Sequence, residues 1–309
     1  MLVLCNLMWA SSFVWIKYAQ QQVGPVFTTA FPIALATLLL VAVVRVTRGQ
    51  SHSPGKQGRM RPRDILDFVI IGVFGQIVTQ FFGTWGTQLS LASNGALLML
   101  TLPISTAIIA RFLLGERMTG LRWISFILAI VGVIECSGID WKELNFTSPR
   151  YMLGNGLLFI SVFGSAFYNV FSKKLLRRYT PLQVQFYSYG VVTILLLPAA
   201  LAVEPKAFGN LPHFTSGVWL GLLMLAFFHY FLSMIIFLRV LKRLDATQAG
   251  LSNYLIPFFG VILAALMLHE RLTKFMVLGG LLVLGSTLLV TVFEERLQAR
   301  AAASAGSGQ

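Results

Sequence analysis

One stretch occurs twice in this chain, and no other feature limits the possible folds so strongly. Residues 92–119, ASNGALLMLTLPISTAIIARFLLGERMT, and residues 246–273, ATQAGLSNYLIPFFGVILAALMLHERLT, align without a gap at an offset of 154. The alignment pairs Ala92 with Ala246, Leu97 with Leu251, Pro103 with Pro257, Leu114 with Leu268, Glu116-Arg117 with Glu270-Arg271 and Thr119 with Thr273. Proline and an acidic-basic pair are scarce in apolar sequence, so their return at one offset marks a duplication rather than a chance match of leucines. The same offset sets Ser11 against Ser165 and Phe13 against Phe167, which carries the duplication back to the start of the chain.

What each copy folds into follows from composition. Hydrophobic residues make up 56%, charged residues 11%, and the mean hydropathy is +0.77, too apolar for a surface that faces water. A helix needs about 20 apolar residues to cross a hydrocarbon core of ~30 Å. Ten such windows occur, near residues 2–18, 26–44, 65–84, 91–113, 121–137, 152–172, 183–203, 217–238, 246–268 and 275–293. They are continuous apolar runs, not alternating segments, which favours helices over a β-barrel. The expected fold is an all-α polytopic membrane protein of ten transmembrane helices in two five-helix repeats, residues 1–137 and 152–293, with 294–309 as a disordered cytoplasmic tail. Five is odd, so the second repeat enters the bilayer from the opposite face and the repeats are inverted. Inverted repeats are an architecture of secondary transporters, with the substrate near the midplane where the halves meet.

The net charge of +13 has a simple origin. With the N-terminus in the cytoplasm, 18 Lys and Arg fall inside and 6 outside, which predicts an inner or plasma membrane protein with both termini cytoplasmic. This distribution accounts for the charge through the lipid bilayer alone and argues against nucleic acid as a partner. Cys5 and Cys136 both fall inside spans, so no disulfide or metal pair is expected. The first apolar run lacks a basic leader and an A-x-A site and reads as a retained helix. No loop is long enough for a soluble domain, so function is assigned to the spans. Catalytic signatures are missing: His269-Glu270 lacks the second histidine of H-E-x-x-H, and neither G-x-S-x-G nor a nucleotide loop occurs. No enzyme activity and no cofactor is expected.

Trp9-Ala10-Ser11-Ser12-Phe13 ending in Lys17, Pro103 followed by Leu114-Gly115-Glu116-Arg117, and the echo of Pro257 with His269-Glu270-Arg271 together resemble the EamA-type branch of the drug/metabolite transporter superfamily. The resemblance covers residues 2–293. It implies ten helices in two inverted repeats, and members that move amino acids, other small metabolites or drugs, mostly outward. The chain departs from the pattern at Ala10, where glycine is usual, and at Ala30-Phe31-Pro32, where many members carry an arginine.

Polar groups inside spans are costly unless they face a cavity or the bundle interior. Those singled out as substrate-binding are Trp9 on the first span, Gln76 and Gln80 on the third, Asn94 on the fourth, Tyr168 and Asn169 on the sixth, His229 and Tyr230 on the eighth, and Gln248 and Asn253 on the ninth. His229 lies in mid-span, where an ordinary pKa near 6.5 suits proton coupling as well as a hydrogen bond in the core. The Glu-Arg pairs read as helix-end caps or as a gate, and Pro103 and Pro257 as mid-span kinks. Gly217-x-x-x-Gly221 marks close helix packing. The leading expectation is a secondary transporter that exports a small amphipathic metabolite such as an amino acid through a central cavity by alternating access. Broad-specificity drug efflux is the alternative, and a receptor or assembly subunit without transport is the third reading.

Overall fold

The computed structural model describes residues 1–50, 61–90, 98–137, 149–259, 263 and 274–289. Asn94, the second Glu-Arg pair at 270–271, the linker between the copies at 138–148 and the tail at 294–309 lie outside the described residues. Among the described residues the chain is helical, with no strand. The helices are α1 (Leu2–Ala19), α2 (Pro25–Gln50), α3 (Pro62–Leu89), α4 (Thr101–Leu114), α5 (Gly120–Ser137), α6 (Pro149–Leu175), α7 (Pro181–Val203), α8 (Ser216–Leu241), α9 (starting Ala246–Leu251) and α10 (Lys274–Leu288). Six of them, α1, α2, α3, α6, α7 and α8, are long and apolar enough to cross a membrane. Their outer surface agrees: Ile194 on α7 is 73% exposed and Leu38 on α2 65%, an apolar belt that water would reject and lipid accepts.

Starts and stops follow local chemistry. Proline opens α2, α3, α6 and α7, where its missing N–H costs no intrahelical bond. Thr180 and Gln183 close a reciprocal capping box on α7. Glu204, at the end of α7, takes the backbone N–H groups of Val26 (3.0 Å) and Phe27 (3.2 Å), so a carboxylate from one copy caps α2 in the other. Pro103 is not a mid-helix kink. It is the third residue of α4, after a break at Leu100, and Pro257 is likewise the third residue of the helical segment that follows the 3-10 turn Ser252–Tyr254.

The duplication is visible in detail. Helix α3 passes through a π-helical segment at Ile71–Ile77, and α8 through one at Leu225–Leu232, so the two start 154 residues apart. Counterpart helices pack against each other, α2 on α7, α4 on α9 and α5 on α10, while α3 packs on α6 as α1 does on α8. The Tyr254 hydroxyl donates to the Leu100 carbonyl at 3.2 Å, and these two residues are themselves separated by 154. An approximate two-fold axis therefore passes between them. The α1–α8 contact is as close as the glycine pattern predicts: a Cβ on Gly221 would fall 2.7 Å from the Trp15 carbonyl oxygen.

Candidate functional site

A cavity lies between the two copies. It has a volume of about 130 Å³ and draws its walls from α1, α3, α4, α6, α8 and α9, that is, from both copies. Four pairs of lining residues are related by the repeat offset: Gln80 and Met234, Gly83 and Phe237, Met99 and Asn253, Leu102 and Ile256. Three of the pairs differ in chemistry and only Leu102 and Ile256 are alike, so the cavity is related by the repeat in backbone and asymmetric in side chains. Among the described residues no Asp, Glu, Lys or Arg lines it; the polar groups there are amides, hydroxyls, the Trp9 indole and the His229 imidazole.

The local backbone explains what faces inward. On α3, Gln76, Thr79, Gln80, Gly83, Thr84 and Thr87 form a stripe at helical spacing that begins in the π-helical segment Ile71–Ile77, and α3 meets α6 along it. The Ser161 hydroxyl on α6 donates to the Thr79 carbonyl at 2.8 Å and pins the two helices beside the cavity. Trp9 on α1 lines one wall and packs on Phe237, ring centroids 5.1 Å apart.

Of the residues expected at a site, Trp9, Gln76, Gln80, Tyr168, Asn169, His229 and Asn253 line this one cavity. His229 Nε2 lies 3.5 Å from Gln80 Oε1, a contact between the two copies across the cavity. Gln76 is buried, and the Tyr168 hydroxyl is within reach of its amide and of Ser172 and Ser188. Two others lie elsewhere. Tyr230, next to His229 on the helix, points to another face, toward α7, with Tyr189 at 6.3 Å and its own carbonyl held by the Gln185 amide at 2.5 Å. Gln248 caps the start of α9, its amide oxygen taking the Asp245 N–H at 3.1 Å. The serine of α7, Ser188, is fully buried beside Tyr168 rather than remote from the site. Sequence reasoning passed over Ser12, Phe13, Thr79, Thr84, Thr87 and Phe237, which also line the cavity. The Thr79, Gly83, Thr87 spacing of four was the signal that would have found part of this set.

At the end where α1 begins, contacts between the copies close the bundle. Cys5 donates to the Ser233 carbonyl (3.2 Å), and the Asn6 amide to the Ser252 hydroxyl (3.2 Å). Further out, α4 ends at Gly115, whose φ of 73° is the left-handed conformation that glycine adopts without a Cβ penalty. The reversal delivers Glu116 to the start of α9, where its carboxylate accepts the N–H groups of Ala246 (2.8 Å) and Thr247 (3.0 Å) and the Thr247 hydroxyl (2.6 Å). Glu116 is thus a helix cap, but of a helix in the other copy. Arg122, only 2% exposed, pairs with Asp245 at 2.7 Å, and Lys173 donates to the carbonyls of Leu241 (2.9 Å) and Leu244 (2.6 Å). The turn between α8 and α9 is held from both sides.

Comparisons with known proteins agree with this architecture. A solved crystal structure superposes with a TM-score of 0.75, covering 95% of this chain and 96% of its own at 18% identity, which establishes the shared fold. An uncharacterized transporter of Archaeoglobus fulgidus is 25% identical over 291 residues, 94% of this chain and 96% of that protein. A probable terminal-alkyne amino-acid exporter of Streptantibioticus cattleyicolor is 27% identical over 292 residues, covering 94% of this chain and 91% of the relative. An S-adenosylmethionine uptake transporter of Rickettsia prowazekii is 23% identical over 222 residues, 70% of each chain. The model of the EamA-like transporter family matches residues 1–136 and 152–292, and the chain belongs to that family: it is an integral membrane transporter of small molecules and not an enzyme.

Proposed function

We propose that the chain is a secondary transporter that exports a small amphipathic metabolite of no net charge, of the amino-acid class, by alternating access through the central cavity. The observation that carries this reading is the cavity itself, which both copies line with amides, hydroxyls and aromatic rings and, among the described residues, no formally charged side chain. A zwitterion or an amide-bearing solute finds donors and acceptors at Gln76, Gln80, Asn169, His229 and Asn253, and its apolar part finds Trp9 and Tyr168. A full charge would enter without a counter-ion and bear most of its desolvation penalty. The amino-acid exporter among the relatives supports the class, whereas the uptake transporter shows that relatives run in either direction.

In this reading all ten helices span the bilayer as two inverted repeats, residues 1–137 and 152–293, with both termini cytoplasmic. The contacts of Glu116, Arg122 and Lys173 are then the closed cytoplasmic end, and the conformation faces outward. His229 is the residue through which a proton couples to transport. The uncharged aromatic wall of Trp9, Phe13, Tyr168 and Phe237 supports a second reading, efflux of larger apolar drugs on the same scaffold.

The test is counterflow in ATP-free liposomes holding the purified protein and unlabelled solute. Labelled leucine or phenylalanine should accumulate transiently, and lysine and aspartate should not. A strict need for ATP, or equal accumulation of charged and neutral amino acids, overturns the proposal. Accumulation of apolar drugs with no amino acid counterflow selects the second reading.

A further inference from the structure

A cleft of about 380 Å³ lies between the start of α3 and the end of α6, on the face where α1 begins and far from the central cavity. Five cationic side chains line it: Arg61 and Arg63 from the first copy, and Lys174, Arg177 and Arg178 from the second. Asp64 and Asp67 are the acids, and both are already engaged. Asp64 takes the Arg178 guanidinium at 2.7 and 3.4 Å and the Arg61 backbone N–H at 2.9 Å; Asp67 faces Lys174 at 3.6 Å. The Tyr179 hydroxyl, pushed up to about 12 by burial and by the hydrogen bond it gives to Asp64, completes the shell of that carboxylate as a neutral donor. Among the described residues no carboxylate lies within 4.0 Å of the Arg61, Arg63 or Arg177 side chains. Among the described residues the cleft therefore keeps three guanidinium groups without an ion-pair partner, on exposed residues at the start of α3 and just beyond the end of α6. Such forks match phosphate oxygens in geometry and in charge.

What surrounds the cleft selects the source of the phosphate. From Arg63, α3 runs directly into exposed apolar residues, Ile65 at 55%, Leu66 at 57% and Val69 at 38%. Leu66 is one helical turn from Arg63, about 5 Å along the axis. A free phosphate makes no use of such a surface. A phospholipid does, because its phosphate and the first carbons of its acyl chains are separated by a comparable distance. The geometry points to a seat for one anionic phospholipid, its phosphate held by Arg63 and Arg177 and its chains lying along Leu66 and Val69. The lipid bridges α3 and α6 at the place where the Asp64–Arg178 and Asp67–Lys174 pairs already join the two copies, so its loss also weakens that junction.

The experiment is lipid retention by the purified full-length protein in native mass spectrometry, with thermal unfolding followed in parallel. Palmitoyl-oleoyl phosphatidylglycerol is compared with the phosphatidylcholine of the same chains and with inorganic phosphate. The expected result is retention of phosphatidylglycerol about tenfold above phosphatidylcholine, with a rise in Tm that inorganic phosphate at the same concentration does not give. The Arg63→Gln/Arg177→Gln pair should bring phosphatidylglycerol down to the phosphatidylcholine level, while Arg63→Lys/Arg177→Lys keeps most of the preference. Arg239→Gln/Lys242→Gln, two cations of the same face outside the cleft, should change nothing. Unchanged preference in the Gln pair overturns the seat, as does an equal loss in the Arg239/Lys242 pair, which signifies diffuse surface charge. A Tm rise with inorganic phosphate equal to that with lipid overturns the lipid assignment. If the paired variant does not fold, the single Arg177→Gln, on an exposed residue beyond the end of α6, serves in its place: a smaller drop in preference supports the seat, and no drop overturns it.

Discussion

His229 and Gln80 meet across the cavity from different copies, and at 3.5 Å the contact is longer than a strong hydrogen bond, so a solute polar group can replace it at little cost. Removing either leaves the other as a polar group facing an apolar gap, a loss of about 1–3 kcal/mol in solute binding. His229→Ala and Gln80→Ala are therefore each expected to lower counterflow about tenfold or more, with normal membrane expression and elution. Thr193→Ala is the proper control: its hydroxyl pairs with Thr37 at 2.9 Å between α2 and α7, away from the cavity. Transport that is normal in both cavity variants, or equally impaired in Thr193→Ala, removes these two residues from the site. Ser188 does not serve as a control, because it is fully buried beside Tyr168. Mid-span amides and histidine were legible in the sequence because membrane interiors make polar groups costly wherever they lack a purpose. Their facing was less so. Tyr230 looked equivalent to His229 by depth, but adjacent helical positions point to different faces, and only the packing against Tyr189 decides which of the two looks inward.

Helix ends carry the next scale of the argument. The Glu116 carboxylate caps α9 through three hydrogen bonds, and its replacement removes a charge at a helix N-terminus together with all three. Glu116→Ala is expected to destabilise the protein by about 1–2 kcal/mol, seen as a lower Tm, and to loosen the end that it closes. Cys5 reports this loosening, being fully buried with its thiol on the Ser233 carbonyl. In a Cys136→Ala background Cys5 should resist maleimide in the parent and react in Glu116→Ala; equal reactivity in both denies Glu116 a part in closure. The sequence marked Glu116 by its repetition at Glu270 and offered capping as one of two readings, the other being a gate. It held no sign that the capped helix belongs to the other copy, because that depends on where α4 ends relative to α9. The π-helical segments were equally hidden: an extra residue in a turn alters the register without altering composition, and only their recurrence in both copies identifies them as part of the repeat.

Across the whole molecule, orientation is the boldest expectation. With the termini cytoplasmic, a single cysteine at Lys242 should be labelled by an impermeant maleimide only from the cytoplasmic side, and one at Asn210 only from outside, both in a background lacking Cys5 and Cys136; the reverse pattern inverts the topology. Both positions are exposed, so access alone decides the outcome. The repeat itself was readable from the first alignment, since a fixed offset survives even when most side chains have diverged. What became of the paired positions was not. Gln80 answers Met234, Gly83 answers Phe237 and Met99 answers Asn253 around one axis. Two identical subunits related by such an axis would carry the same side chain at both positions and would offer an identical pocket to either side of the bilayer. Joined in one polypeptide, the halves have been free to differ, so under the proposed alternating access the pocket would hold its solute with unequal dissociation constants when open to one side and to the other. A carrier of this kind still delivers solute to the same final ratio as its driving gradient allows, but it saturates at different concentrations on its two sides and runs faster in one direction than in the other.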